Sequence, residues 1–166
     1  MTQEQFSIDV SAYHRTIFRL AFNCLGSRSD AEDIVQDTFL RLYQNKKPFS
    51  DQEHKKAFLL RTASNLCKDL LKSSWFRKRA HLDENIPADN SFNKSEEVLS
   101  EYILRLKHKY RSVIFLFYYE GYSVREIATI LKMSETAVTT SLNRARNQLK
   151  KELSDNEEDL IYEYVH

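Results

Sequence analysis

Apolar residues recur at three and four positions along most of the chain, the spacing that lays one side of a helix against a core. From Val10 to Leu25 the stripe is Tyr13, Ile17, Leu20, Ala21 and Cys24, widened by Phe18, Phe22 and Leu25, with Gly26 as a C-terminal cap. Ser29 to Glu32 has the S-x-x-E form of a capping box and opens a second helix with Ala31, Ile34, Val35, Thr38, Phe39 and Leu42 inward. Pro48 interrupts the pattern, and a third helix is expected from about Glu53 to Lys72 with Leu59, Ala63, Leu66, Cys67 and Leu70 inward. Periodicity is lost over Ala80 to Ser95, where Asp, Asn, Ser and Pro87 mark a linker. It resumes from Glu97 to Tyr110 through Val98, Leu99, Tyr102, Ile103 and Leu106, followed by a short apolar helix from Val113 to Tyr119.

The stretch from Gly121 to Leu149 reads as a helix-turn-helix. Ser123 caps a first helix with Ile127, Ile130 and Leu131 on one side, and Ala128 leaves room for a neighbouring helix. Ser134 caps a second helix with Ala137, Val138, Ser141, Leu142, Ala145 and Leu149 inward. Its outer face keeps Thr136, Thr139, Thr140, Asn143, Arg144 and Asn147, groups able to reach phosphates and base edges in a major groove. A helical hairpin used only for packing has the same inner pattern.

Two glycines and two prolines in 166 residues leave hairpin turns and glycine-rich phosphate loops scarcely available, so the expected class is all-α, in two small helical domains. A formal net charge of +1 conceals a segregation of charge. Residues 55–79 hold Lys55, Lys56, Arg61, Lys68, Lys72, Arg77, Lys78 and Arg79 against Asp69, interleaved with Asn65, Ser73, Ser74, Trp75 and Phe76. Such a mixture suits single-stranded nucleic acid, although both rings also fit as packing residues. The exposed face of the second helix, Glu32, Asp33, Gln36, Asp37 and Arg41, is either solvated or a polar docking surface. From Glu152 the chain is acidic, with Asp155, Glu157, Glu158, Asp159 and Glu163. This tail reads as disordered or as folding back on a basic surface, where its acids would screen the DNA-binding faces.

Catalytic constellations are missing. There is no H-E-x-x-H, G-x-S-x-G, Walker loop or paired-cysteine pattern, and Asp51 with His54 is a single pair where a helical di-metal site needs several. The expectation is therefore a binding protein without enzyme activity, cofactor, metal or small-molecule substrate. Cys24 and Cys67 read as reduced core residues. No apolar run approaches a membrane span, and MTQEQFSIDV lacks the features of a signal peptide, so no membrane insertion and a cytoplasmic location are expected.

Taken together, DAEDIVQDTFLRLY from Asp30, AFLLRTASNLCKDLL from Ala57, a polar linker, and YYEGYSVREIATILKMSETAVTTSLNRARNQLKKEL from Tyr118 resemble bacterial extracytoplasmic-function (ECF) sigma factors. The resemblance implies a sigma-2-like domain over residues 1–79, a linker over 80–96, a sigma-4-like helix-turn-helix domain over 97–153 and an acidic tail over 154–166. It implies core RNA polymerase and promoter DNA as partners, and an anti-sigma factor as a further one. Core polymerase is then expected to meet Asp30, Glu32, Asp33, Gln36, Asp37 and Phe39, and the minus-ten element Arg61, Asn65, Lys68, Lys72, Trp75, Arg77 and Lys78. The minus-thirty-five element is expected to meet Thr136, Thr139, Thr140, Asn143, Arg144 and Arg146. Four positions depart from the family's pattern. Thr139 and Ser141 stand where basic residues are common, Phe117 where an arginine is common, and Lys132 where a turn glycine is common. Weak minus-thirty-five binding that leans on Arg144, Arg146 and the polymerase is the consequence expected. A helix-turn-helix regulator acting without core polymerase is the alternative.

Overall fold

The computed structural model describes residues 1–73 and 94–152, and every regular element among them is helical. The chain divides into two compact units, Met1–Ile86 and Pro87–His166. The acidic tail, Trp75, Arg77, Lys78 and nearly all of the expected linker lie outside the described residues.

Among the described residues, the first unit has three helices: α1 (Gln3–Leu25), α2 (Arg28–Gln44) and α3 (Gln52–Lys72). Ile17, Leu20, Leu42, Leu59 and Leu60 are fully buried where the three meet. Each such side chain contributes on the order of 1.5–3 kcal/mol through removal from water. α1 starts seven residues before the apolar stripe suggests, because Thr2 caps it by accepting from the Gln5 amide and Phe6 reaches the rings of Phe39 and Tyr43. Gly26 ends it in the left-handed conformation, φ 70°, which releases Ser27 into extended backbone. Ser27, rather than Ser29, therefore caps α2, accepting from the Asp30 amide. Asp51 caps α3 by accepting from the His54 amide at 2.7 Å.

The basic block loses one member to the core. Lys55 Nζ donates to both oxygens of Asp9, at 3.0 and 2.9 Å, and the two side chains are 10% and 2% exposed. This ion pair ties α1 to α3, with the Gln5 amide at 3.3 Å from the same carboxylate and the Phe49 ring beside the ammonium. Cys24 and Cys67 are buried and are not joined in a disulfide. Their thiols meet, and the hydrogen bond from Cys24, together with burial, pushes the Cys67 thiol well above its ordinary value.

The second unit holds α4 (Lys94–Arg105), α5 (His108–Ile114), a π-helical turn (Phe115–Tyr119), α6 (Val124–Leu131) and α7 (Glu135–Glu152). The break between α4 and α5 falls before His108, earlier than the apolar pattern suggests. Arg111 accounts for it: Nε donates to the Leu106 carbonyl and Nη2 to that of Leu104, which satisfies the end of α4. The expected short apolar helix divides into the last residues of α5 and the π turn. Leu99, Ile103, Leu106, Ile114, Phe115, Leu116 and Ile127 fill the core with Val138, Leu142 and Leu149 of α7.

Candidate functional site

The helix-turn-helix is built by local chemistry. Ser123 and Glu126 form a reciprocal capping box, the Ser123 hydroxyl accepting from the Glu126 amide and the Glu126 carboxylate from the Ser123 amide. α6 ends at Lys132 with φ 53° and ψ 48°, and the next amide, that of Met133, donates to the Ala128 carbonyl. Lys132 is the one non-glycine with positive φ among the described residues. Ser134 then caps α7 by accepting from the Ala137 amide. Val138, Ser141, Leu142, Ala145 and Leu149 are buried, which leaves Thr136, Thr139, Asn143 and Arg144 exposed on one outer face, with Thr140 half-buried at its edge.

Arg146 does not share that face. Its guanidinium lies over the rings of Phe117 (5.2 Å) and Tyr118 (5.6 Å), and Nε donates to the Tyr118 hydroxyl. The Phe117 that replaces a common arginine is thus one wall of a cation–π seat that anchors α7 to the π turn. The nearer signal in sequence was the aromatic run Phe115–Tyr119 ahead of the motif. Arg144 remains exposed and reaches the hydroxyl of Tyr110. Its hydrogen bond, and the charge of Lys109, hold that phenol below its ordinary value against the opposing effect of burial.

On α3, Arg61, Asn65, Lys68 and Lys72 fall at spacings of four, three and four, which places them along one side. Asn65, Lys68 and Lys72 are exposed and Arg61 is half-buried. Three polar or cationic groups in a row, each free to move toward a phosphate, give this side its electrostatic reach.

On α2, Asp33, Gln36 and Asp37 are exposed, and Glu32 is half-exposed with a carboxylate oxygen 3.7 Å from His14 Nε2. Asp30 and Phe39 lie on the inner side, 4% and 5% exposed, so neither is available on the outer face. Asp30 sits in the first turn behind the Ser27 cap, and Phe39 packs edge-on against Phe6. Leu40 and Tyr43 take the outer positions instead, 51% and 57% exposed. Leu40 follows Asp33 and Gln36 by seven and four residues, so it continues their stripe. The sequence signal was an apolar residue off the inner spacing, within a polar face.

Among the described residues, no group of three or more His, Cys, Asp or Glu side chains is placed to hold a metal ion. Asp51 caps α3, and His54 Nδ1 accepts from the Ser50 amide at 3.1 Å. No described helix is long and apolar enough to cross a membrane.

The chain matches the family Sigma-70 region 2 over residues 10–77 and the family Sigma-70, region 4 over residues 96–149. It is 28% identical to the ECF RNA polymerase sigma factor SigW of Bacillus subtilis, covering 92% of this chain and 91% of that protein. It is 27% identical to SigL of Mycobacterium tuberculosis, covering 84% and 83%. The fold resembles that of the sigma factor RpoE of Bartonella quintana, solved in complex with the anti-sigma factor NepR, with TM-score 0.65, 19% identity and coverage of 96% and 98%. CnrH, solved in complex with the cytosolic domain of CnrY, gives TM-score 0.62 at 24% identity, covering 90% of this chain and 88% of its own.

Proposed function

We propose, because this chain belongs to the ECF sigma factors of the sigma-70 family, a division of labour between its described surfaces. The protein is an alternative sigma factor that binds core RNA polymerase and directs promoter recognition and transcription initiation. In our reading residues 1–79 form the polymerase and minus-ten domain, residues 97–153 the minus-thirty-five domain, and residues 80–96 the tether between them. The outer face of α2, now Glu32, Asp33, Gln36, Asp37 and Leu40, meets core polymerase, with Leu40 supplying an apolar anchor within a polar rim. Arg61, Asn65, Lys68 and Lys72 track the backbone of the minus-ten strand. Thr136, Thr139, Asn143 and Arg144 enter the major groove at the minus-thirty-five element.

The observation that carries this reading is the outer face of α7. It holds hydroxyls, an amide and one exposed arginine, with Arg146 withdrawn onto Phe117 and Tyr118. So few cations bind DNA weakly alone, and tethering to polymerase raises the effective concentration of each contact. The protein contributes binding rather than catalysis, acts where the polymerase is, in the cytoplasm, and takes an anti-sigma factor as a further partner.

Retention by purified core polymerase, followed by run-off transcription on fragmented genomic DNA, tests the proposal. Polymerase-dependent transcripts sharing an upstream element are expected. Promoter binding as tight without core polymerase as with it would instead support a free-standing regulator.

A further inference from the structure

The outer side of α7 is lined by short, uncharged side chains. Thr136, Thr139 and Asn143 follow one another at spacings of three and four, and all three are exposed. They lie away from Val138, Leu142, Ala145 and Leu149, which are buried in the second unit. Longer polar side chains of the same helix are engaged elsewhere. Arg146 lies over Phe117 and Tyr118, and Gln148 Nε2 donates to the Arg105 carbonyl and to the Glu152 carboxylate, each at 3.3 Å. Thr139 and Ser141 both stand where a basic residue is common, but Ser141 is 8% exposed and faces the core. Thr139 is therefore the departure that changes the outer face.

Reach decides what such a face can read. A long cationic side chain can extend to the phosphates at the groove walls, where it carries little sequence information. Threonine and asparagine end close to the backbone, so on the outer side of a groove-lying helix they meet the base edges on the groove floor first. Chemistry then selects the bases. A carboxamide sets a donor beside an acceptor: its NH2 donates to adenine N7 and its carbonyl accepts from adenine N6–H. Guanine offers two acceptors there and would leave that carbonyl without a donor. A threonine methyl makes an apolar contact with the C5 methyl of thymine. Thr139 and Asn143 are about 6 Å apart along the helix axis and base pairs about 3.4 Å apart, so the two contacts fall about two base pairs from each other.

We propose that Asn143 determines the sequence of the minus-thirty-five element by holding an adenine through N6 and N7, with Thr139 packed on the methyl group of a thymine about two base pairs away. The assignment rests on the reading of α7 as the groove-facing helix, and it adds the base identity which that reading leaves open. Arg144 supplies affinity beside it, and Asn143 supplies discrimination.

The test uses the full chain assembled with core polymerase, and a promoter pool randomised across the upstream element. DNA retained by the wild type should carry adenine at one position, where another base weakens binding on the order of 5- to 150-fold. Asn143→Ala places a good helix former at an exposed position and should melt no lower than the wild type. It should lose the preference at that position and keep those at the others. There, 7-deazaadenine, which lacks N7 and still pairs with thymine, should weaken the wild type several-fold and leave Asn143→Ala unaffected. Uracil in place of the thymine, which removes the methyl, should weaken the wild type and not Thr139→Ser. The assignment is overturned if Asn143→Ala keeps the wild-type preference at every position. It is equally overturned if either modified base weakens its variant as much as the wild type, as it would were the element read through DNA shape. Failure of the underlying reading looks different: the wild type would then retain DNA with no base preference anywhere in the upstream element.

Discussion

Replacing Lys55 by methionine should destabilise the first unit far more than loss of a surface lysine does. The Asp9 carboxylate is 2% exposed and receives its two short hydrogen bonds, 3.0 and 2.9 Å, from the Lys55 ammonium. Without it, the charge keeps the Gln5 amide at 3.3 Å. Removing one partner of a buried ion pair costs about 3–5 kcal/mol, because the other charge stays desolvated. For a unit of this size, each kcal/mol lowers the melting temperature by roughly 4–8 °C, so a fall of at least about 12 °C is expected. Replacing both residues, as Asp9→Leu/Lys55→Met, removes the stranded charge and should recover most of the loss. The assay is thermal and urea unfolding of the full chain followed by circular dichroism, read as a double-mutant cycle. A Lys55→Met cost below about 1 kcal/mol, or a double variant as damaged as the sum of the singles, would refute the argument. Promoter binding by folded Lys55→Met should keep the wild-type salt slope, since this lysine is spent within the core.

Lys132→Gly should stabilise the second unit by about 1 kcal/mol, because glycine meets no steric penalty at φ 53°, whereas Lys132→Ala should gain nothing. A melting temperature unchanged by the glycine would show that this backbone is not strained. Arg146→Gln should lower thermal stability and promoter affinity together while leaving the salt slope as it is; a slope reduced by a full contact would return Arg146 to the DNA. The Cys67 thiol is pushed up from its ordinary value of 9.0, so the neutral form is favoured in the folded state. The unfolded chain loses that proton first as pH rises, so the stability contributed is complete below the ordinary value and declines above it. Unfolding measured across that range should show this decline in the wild type and a smaller one in Cys67→Val.

Much of the architecture was legible in sequence because it is written in local periodicity and capping. The Ser123 and Ser134 caps and the inner stripe Val138, Leu142, Ala145 and Leu149 required no knowledge of tertiary contacts. Long-range pairing was not legible. Lys55 read as one more cation because nothing local distinguishes it from Lys56, and its partner Asp9 lies 46 residues away. The start of α1 was missed because its first turns carry few apolar residues and are held by Thr2 and by aromatic contacts to α2. On the candidate surfaces, spacing separated Asp33, Gln36 and Asp37 from the core, yet it also marked Phe39 as inward, and the structure keeps it there. Arg146 shows a different limit: a side chain at the border of two faces is assigned by what it can stack on, and Phe117 and Tyr118 arrive from another element.

The π turn at Phe115–Tyr119 makes the second unit intolerant of a change in chain length at a place that looks, in sequence, like an ordinary junction. Its Glu120 amide donates to the Phe115 carbonyl, five residues back, at 3.3 Å, and the Tyr122 amide to that of Leu116 at 3.0 Å. A loop could gain or lose a residue and still join the same two helices. Here the turn already carries the extra residue of a five-residue bond, so one inserted residue more turns every following side chain by about 100° around the helix axis, given 3.6 residues per turn. Phe117 and Tyr118 then leave Arg146, and α6 is delivered in the wrong rotation to α7. The spacing between the aromatic run and the helix-turn-helix is therefore a fixed number, set by geometry rather than by any contact with DNA.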